Sequence, residues 1–248
     1  MAKSPYSVGG FDEFRQRAAD PSLSVYEKIG VPDDYRSGRN AEIVADFRAK
    51  LPALTMQGAR ILDIGAGCTE LPILLADICG AQGGKIVLVD STEMLEHLPD
   101  HPAAVKIDGA FPDCADRIAA VSTGYDAIII YSVLQYVFVE GNFWRFVDAA
   151  AGLLNEGGRL LLGDLPNASK RRRFLASNAG RAYHKQHFDP DTEPAVAFNR
   201  LDIDEMDDGV IFGLLQRLRA GGYDAYVVPQ PPGLSMANRR EDILICRP

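Results

Sequence analysis

Short runs of apolar, β-branched residues recur along the chain, separated by longer stretches with helical periodicity. The runs are ARILDIG (59–65), KIVLVD (85–90), AAVKID (103–108), DAIIIY (126–131) and GRLLLGD (158–164). The first, second and fourth are almost wholly apolar, the mark of strands covered on both faces. Helical patterns fall between them at 70–79, 92–98, 113–121 and 142–154, and Gly157-Gly158 turns the chain into the fifth run. Strand and helix alternating in this way predict a doubly wound, mostly parallel sheet with right-handed crossovers.

The pattern changes at both ends. A helical stretch, 208–220, stops at Gly221-Gly222, a helix-terminating pair. YDAYVV (223–228) and DILIC (242–246) follow with only a proline-rich linker between them. These predict an antiparallel hairpin at the sheet edge, for seven strands in all. The first 50 residues hold no strand pattern, only short helical ones at 10–19, 23–29 and 39–50. A segment that small cannot bury its own core, so residues 1–50 are read as a helical cap on a domain spanning 51–248. Residues 165–205 are read as an insertion on the substrate side.

Composition narrows the function. The chain has 248 residues, 47% hydrophobic and 24% charged, with a net charge of −8. That balance is ordinary for a globular protein and disfavours sequence-independent binding to nucleic-acid phosphates. Cys68, Cys79, Cys114 and Cys246 form no CxxC pair and no zinc-spaced cluster. No apolar run reaches the roughly 20 residues that span a bilayer, and MAKSPYSVGGFDEF lacks the apolar core of a signal peptide. A cytoplasmic protein without membrane attachment is the expectation.

The chemistry concentrates in ILDIGAGCTE (61–70). A glycine turn between a strand and a helix exposes backbone N–H groups to a nucleotide. Asp90 ends the next strand, 23 residues after Gly67, where a carboxylate can accept both hydroxyls of a ribose. A nicotinamide-dependent oxidoreductase and an adenosine-cofactor enzyme both fit so far. Asp63 separates them. A carboxylate there repels a pyrophosphate and attracts an ammonium group. Glu70 occupies the third-glycine position of the dinucleotide pattern.

LDIGAG (62–67), VLVDSTEML (87–95), KIDGAFPD (106–113), YDAIIIYSVLQYV (125–137) and LLNEGGRLLLGD (153–164) together resemble the class I S-adenosylmethionine-dependent methyltransferases, in the family's order and spacing. Thr69 departs from the family's third glycine. The resemblance implies S-adenosylmethionine as cofactor and a small-molecule methyl acceptor. It places Gly65, Ala66 and Gly67 at the cofactor's backbone approach and Asp63 near its methionine end. It puts Asp90 on the ribose hydroxyls, Ser91 and Met94 against adenine or ribose, and Asp108 and Gly109 at the adenine. Tyr131 and Ser132 would face the methionine and the reacting centre. The carboxylate that holds metal in catechol-type members is absent after the fourth strand, so no metal is expected. The Asn/Asp-Pro-Pro-Tyr motif of nitrogen methylases is absent too, which weakens a nucleic-acid methylase reading.

For a general base, His184 and His187 lie three apart on one predicted helix face, and Asp164 ends the fifth strand. They favour an oxygen nucleophile; solvated histidines and a turn aspartate are the plainer alternatives. Lys170 to Phe174 (KRRRF) could clamp an anionic or sugar-type acceptor or form a solvated helix face, and Tyr6, Tyr26, Tyr35 and Arg36 could line an acceptor pocket. The acidic cluster of Asp202, Asp204, Glu205, Asp207 and Asp208 suits a helix N-terminus. A non-catalytic module of the same fold remains an alternative. The oligomeric state is not encoded in any of these patterns.

Overall fold

The computed structural model describes residues 9–200 and 203–248. Four helices come first: α1 (Phe11–Ala19), α2 (Val25–Lys28), α3 (Asp33–Arg36) and α4 (Asn40–Lys50). The alternating body follows as β1 (Arg60–Ile64), α5 (Leu71–Ala81), β2 (Lys85–Asp90), α6 (Thr92–Leu95), β3 (Ala104–Asp108), α7 (Ala115–Val121) and β4 (Tyr125–Tyr131). Next come α8 (Leu134–Glu140), α9 (Phe143–Gly152), β5 (Leu154–Pro166), α10 (Ala168–Ala176) and α11 (Asn178–His187). The chain closes with α12 (Asp208–Ala220), β6 (Asp224–Val228) and β7 (Arg240–Cys246).

The sheet has seven strands in the order β3-β2-β1-β4-β5-β7-β6. β1 to β5 pair in parallel, and β7 runs antiparallel between β5 and β6. The doubly wound sheet with its antiparallel hairpin is therefore the architecture that the apolar runs predict. The hairpin's second strand lies inside its first, leaving β6 as the edge.

Alternation along the strands builds two cores. Leu62, Ile64, Val87, Val89, Ile128, Ile130, Leu160 and Leu162 face one side, against Phe146 and Val147 of α9 and Leu214 and Leu218 of α12. Ile61, Ile86, Leu88, Ala127, Ile129 and Leu161 face the other, against Ile43 and Phe47 of α4 and Leu75 and Cys79 of α5. Side chains two apart share a face. Asp63, Asp90 and Tyr131 therefore continue the second face at the carboxyl ends of β1, β2 and β4. α4 belongs to this core, so only α1 to α3 act as a cover over the strand ends. α8, absent from the sequence reading, forms from LQYVFVE, an apolar stretch without a polar face to give it periodicity.

β5 is longer than its apolar run. It starts at Leu154, and its pairing with β4 shifts between Tyr125 and Ala127. A second irregularity, against β7 between Leu162 and Leu165, contains Asp164 at φ 59°. Bulges of this kind re-aim side chains at functional edges.

Candidate active site

The carboxyl ends of β1, β2 and β4 open into a cavity of about 410 Å³, closed from above by α1 to α3 and from the side by α8. The turn after β1 forms its floor. Gly65 and Gly67 adopt φ +77° and +69°. A Cβ on Gly65 would stand 2.4 Å from Val133 Cγ2, and one on Gly67 would stand 2.9 Å from Ile29 Cγ2. Only glycine satisfies both the backbone and the space. Gly67 N–H donates to Asp90 Oδ2 at 2.8 Å, and Ser91 N–H donates to Asp90 Oδ1 at 2.7 Å.

Asp63 lines the cavity at 5% exposure, and no described residue donates a hydrogen bond to its carboxylate. Burial, with Asp90 nearby, raises its pKa from the ordinary 3.8 to about 7. Burial also raises Asp90 to about 6, against the two backbone N–H groups that lower it. Two neighbouring carboxylates without a cation form an unsatisfied negative site, a cost that an incoming cation relieves.

Of the residues singled out from sequence, Asp63, Gly65, Ala66, Gly67, Asp90, Met94, Gly109, Tyr131 and Ser132 line this cavity. Tyr26 and Arg36 of the helical cover line it as well. Ser91 does not. It is buried, and its Oγ accepts from Met94 N–H at 3.2 Å as the N-cap of α6. Asp108 points to solvent and pairs with Arg117 Nη1 at 2.8 Å, while Asp113 takes a place in the lining.

Three base candidates are likewise placed elsewhere. His184 and His187 do share α11, but His184 is half-buried, His187 is exposed, and both are outside the lining. His184 Nε2 meets Thr192 Oγ1 at 3.1 Å, and His187 stacks on Tyr183 with centroids 4.2 Å apart. Asp164 is buried at the β5 bulge. Its Oδ2 accepts from Arg36 Nη2 at 2.8 Å, from Arg240 Nη1 at 2.7 Å and from Ser132 Oγ; its Oδ1 accepts from Gln230 Nε2 at 3.2 Å. Burial alone would raise its pKa, but Arg240, Arg36 and these hydrogen bonds outweigh it and hold the carboxyl below its ordinary value. A carboxylate held in this way is a poor proton acceptor and a good anchor.

No residue of the basic run on α10 lines the cavity. Arg173 pairs with Asp208 at 2.5 Å, and Lys170 Nζ donates to Arg240 O at 2.5 Å. Asp207 caps α12 through Val210 N–H at 3.1 Å. Tyr35 stands outside the lining, with Arg239 over its ring at 5.6 Å. Tyr6 and Asp202 lie outside the described residues.

The sequence reading missed the apolar wall. Phe14 of α1 meets Tyr136 of α8 edge-on at 4.6 Å, and Phe47 of α4 meets Tyr131 edge-on at 5.0 Å. Phe111 and Phe146 pack at 5.1 Å at the far end. Single aromatic residues scattered over separate elements and loops leave no local signal. Burial pushes the Tyr131 phenol well above its ordinary pKa, and Asp164 adds to it; Arg36 and Arg240 oppose. Among the described residues, no group of three His, Cys, Asp or Glu could hold a metal ion.

A glycine turn after β1, carboxylates on β1 and β2, and this strand order define the fold of the S-adenosylmethionine-dependent methyltransferases. The chain is similar to the plantazolicin methyltransferase BpumL, solved with SAH and a monoazolic desmethylPZN analog, at TM-score 0.59 and 12% identity over 96% of this chain and 98% of that one. It is similar to the CurJ carbon methyltransferase at TM-score 0.55 and 14% identity, over 94% of this chain and 65% of that one. A putative caffeoyl-CoA O-methyltransferase from Staphylococcus aureus aligns at TM-score 0.50 and 12% identity, over 99% and 93%. No protein-family model and no curated protein sequence matches the chain.

Proposed function

We propose that the protein is an S-adenosylmethionine-dependent methyltransferase acting on a small molecule. The observation that carries this reading is the buried, unpartnered Asp63 carboxylate beside the Gly65–Gly67 turn. A pyrophosphate about 5 Å from Asp63 would meet a repulsion on the order of 3 kcal/mol per charge at an effective dielectric near 20. An aminoacyl nucleoside instead brings an ammonium group to Asp63 and ribose hydroxyls to Asp90. The residues present thus fit the cofactor, and SAH in the BpumL structures accords with that choice.

When bound, S-adenosylmethionine supplies a methyl carbon activated by positive sulfur. The chain's contribution is position and dryness. Gly65 and Gly67 let the backbone come close. Asp63 and Asp90 hold the two polar ends. Met94, Phe14, Ile29 and Tyr136 close the apolar sides. Tyr131 keeps its proton across the neutral range and can donate a hydrogen bond near the reacting centre. On the β4–β5 side, Asp164 is spent on Arg36 and Arg240. We therefore favour an acceptor whose nucleophilic oxygen arrives without its proton, so that no base is required.

The test is a screen with methyl-labelled S-adenosylmethionine against phenols, carboxylic acids, sugars and phosphorylated metabolites. Label transferred to at least one small acceptor, and lost in Asp90→Ala, is the expected result. Tight cofactor binding without transfer to any acceptor would favour a binding module.

A further inference from the structure

We propose that Arg36 is the residue with which this cavity reads a carboxylate. The inference rests on the methyltransferase reading only for the ligands used to test it. Arg36 ends α3, and its side chain is 8% exposed where it enters the cavity lining. Its guanidinium lies over the Tyr131 ring, 4.6 Å from the centroid. Nη2 is fixed by Asp164 Oδ2 at 2.8 Å and by Ser132 Oγ. Nη1 and Nε donate to no described residue. With Nη2 pinned, these N–H groups are held in place and remain available to a group inside the cavity. The Nε and Nη1 N–H groups point to different sides of the guanidinium, so a carboxylate in the cavity accepts from one of them in a charge-assisted hydrogen bond.

Asp164 does not need Nη1 or Nε. Arg240, Ser132 and Gln230 already donate to it. Asp164 and Tyr131 instead hold the guanidinium in one orientation. Arg145, the other cation in the lining, is exposed and paired with Asp113 at 3.1 Å. The carboxyl edge of the sheet therefore presents charges in order: Asp90 on β2, Asp63 on β1, then Arg36 over β4 and β5. Neighbouring strands stand about 4.8 Å apart. An anionic group held at Arg36 thus lies on the far side of Asp63 from Asp90. Two sources of carboxylate fit there: the amino-acid end of the cofactor, and an anionic acceptor stacked on the aromatic wall.

Calorimetry on the full chain separates them. The probes are S-adenosylhomocysteine, its decarboxylated analogue and benzoate, applied to the wild type, Arg36→Lys and Arg36→Gln, with circular dichroism confirming the fold of each. If the cofactor supplies the carboxylate, the wild type prefers S-adenosylhomocysteine over the analogue by about 10-fold or more, and Arg36→Gln abolishes the preference. If the acceptor supplies it, the wild type holds both nucleosides alike, and benzoate binds the S-adenosylhomocysteine complex of the wild type but not that of Arg36→Gln. In either case Arg36→Lys retains part of the effect. Equal binding of both nucleosides together with no benzoate binding to the wild type overturns the proposal, whatever the variants do. If neither nucleoside binds, the cofactor reading fails by itself; benzoate binding to the ligand-free wild type then decides the role of Arg36.

Discussion

Asp63 and Asp90 carry opposite demands. Folding buries Asp63 and partly buries Asp90, and ligand recognition needs both ionised. Their pKa values rise from the ordinary 3.8 to about 7 and about 6 as the chain folds. Between these values the folded state binds more protons than the unfolded state. The stability these groups contribute is complete below about pH 4 and is lost as pH rises through about 6 to 7. Asp63→Asn removes the larger part of that loss. Relative to wild type, the ligand-free Asp63→Asn variant is therefore expected to gain more stability at about pH 8 than at about pH 5 in denaturant titrations. An equal gain at both values would show that Asp63 is not a buried, high-pKa group. Asp164 is the converse case. Its pKa is lowered, so its stabilising effect is present at neutral pH and fades in acid as the folded carboxyl takes up its proton. Asp164→Asn leaves Arg36 and Arg240 buried against a neutral amide, and a loss of about 3 kcal/mol in unfolding free energy is expected. A loss under about 0.5 kcal/mol would mean that the pairs are solvated.

At the level of elements, the turn between β1 and α5 and the helix α11 give contrasting expectations. Gly65→Ala places a methyl group against Val133 at a backbone φ that favours glycine. Cofactor affinity is expected to fall by at least 10-fold, read by calorimetry, and unchanged affinity would remove the turn from the site. His184→Ala and His187→Ala touch exposed contacts on α11 only. Turnover within about twofold of wild type is expected for both, and a 100-fold loss in either would bring α11 back to the reacting centre. These elements also show what the sequence could convey. The β1 turn was legible because strand, glycine spacing and carboxylates lie within a few residues of one another, and Asp90 follows at a fixed distance. Ser91 and Asp108 were assigned by position alone. Neither the α6 cap on Ser91 nor the Arg117 partner of Asp108 has a separate signature. The histidine pair was read as chemistry because the spacing places them on one helix, but spacing says nothing of where that helix sits. α8 escaped because an apolar stretch has no polar face to mark its period.

For the molecule as a whole, a sheet with two buried faces supplies a rigid floor, and three short helices supply the cover. The floor was readable from the apolar runs. The cover was readable as helices, though not in its division of labour: α4 packs into the sheet core, whereas α3 delivers Arg36 to the strand ends. Tertiary contacts far apart in sequence, such as Arg36 with Asp164, leave no local pattern. If the cover closes the cavity, S-adenosylhomocysteine is expected to slow amide exchange in 25–40 more than in α11 or α12. Protection confined to 61–70 would separate the cover from the site. The central claim is that the cavity holds an aminoacyl nucleoside through Asp63. Calorimetric titration of S-adenosylhomocysteine and of NAD into wild type and Asp63→Asn at about pH 7.5 tests it most directly. The account expects S-adenosylhomocysteine to bind the wild type, to bind Asp63→Asn about 10- to 100-fold more weakly, and NAD to bind neither. NAD binding to the wild type in place of S-adenosylhomocysteine, or equal S-adenosylhomocysteine affinity in both proteins, would contradict it.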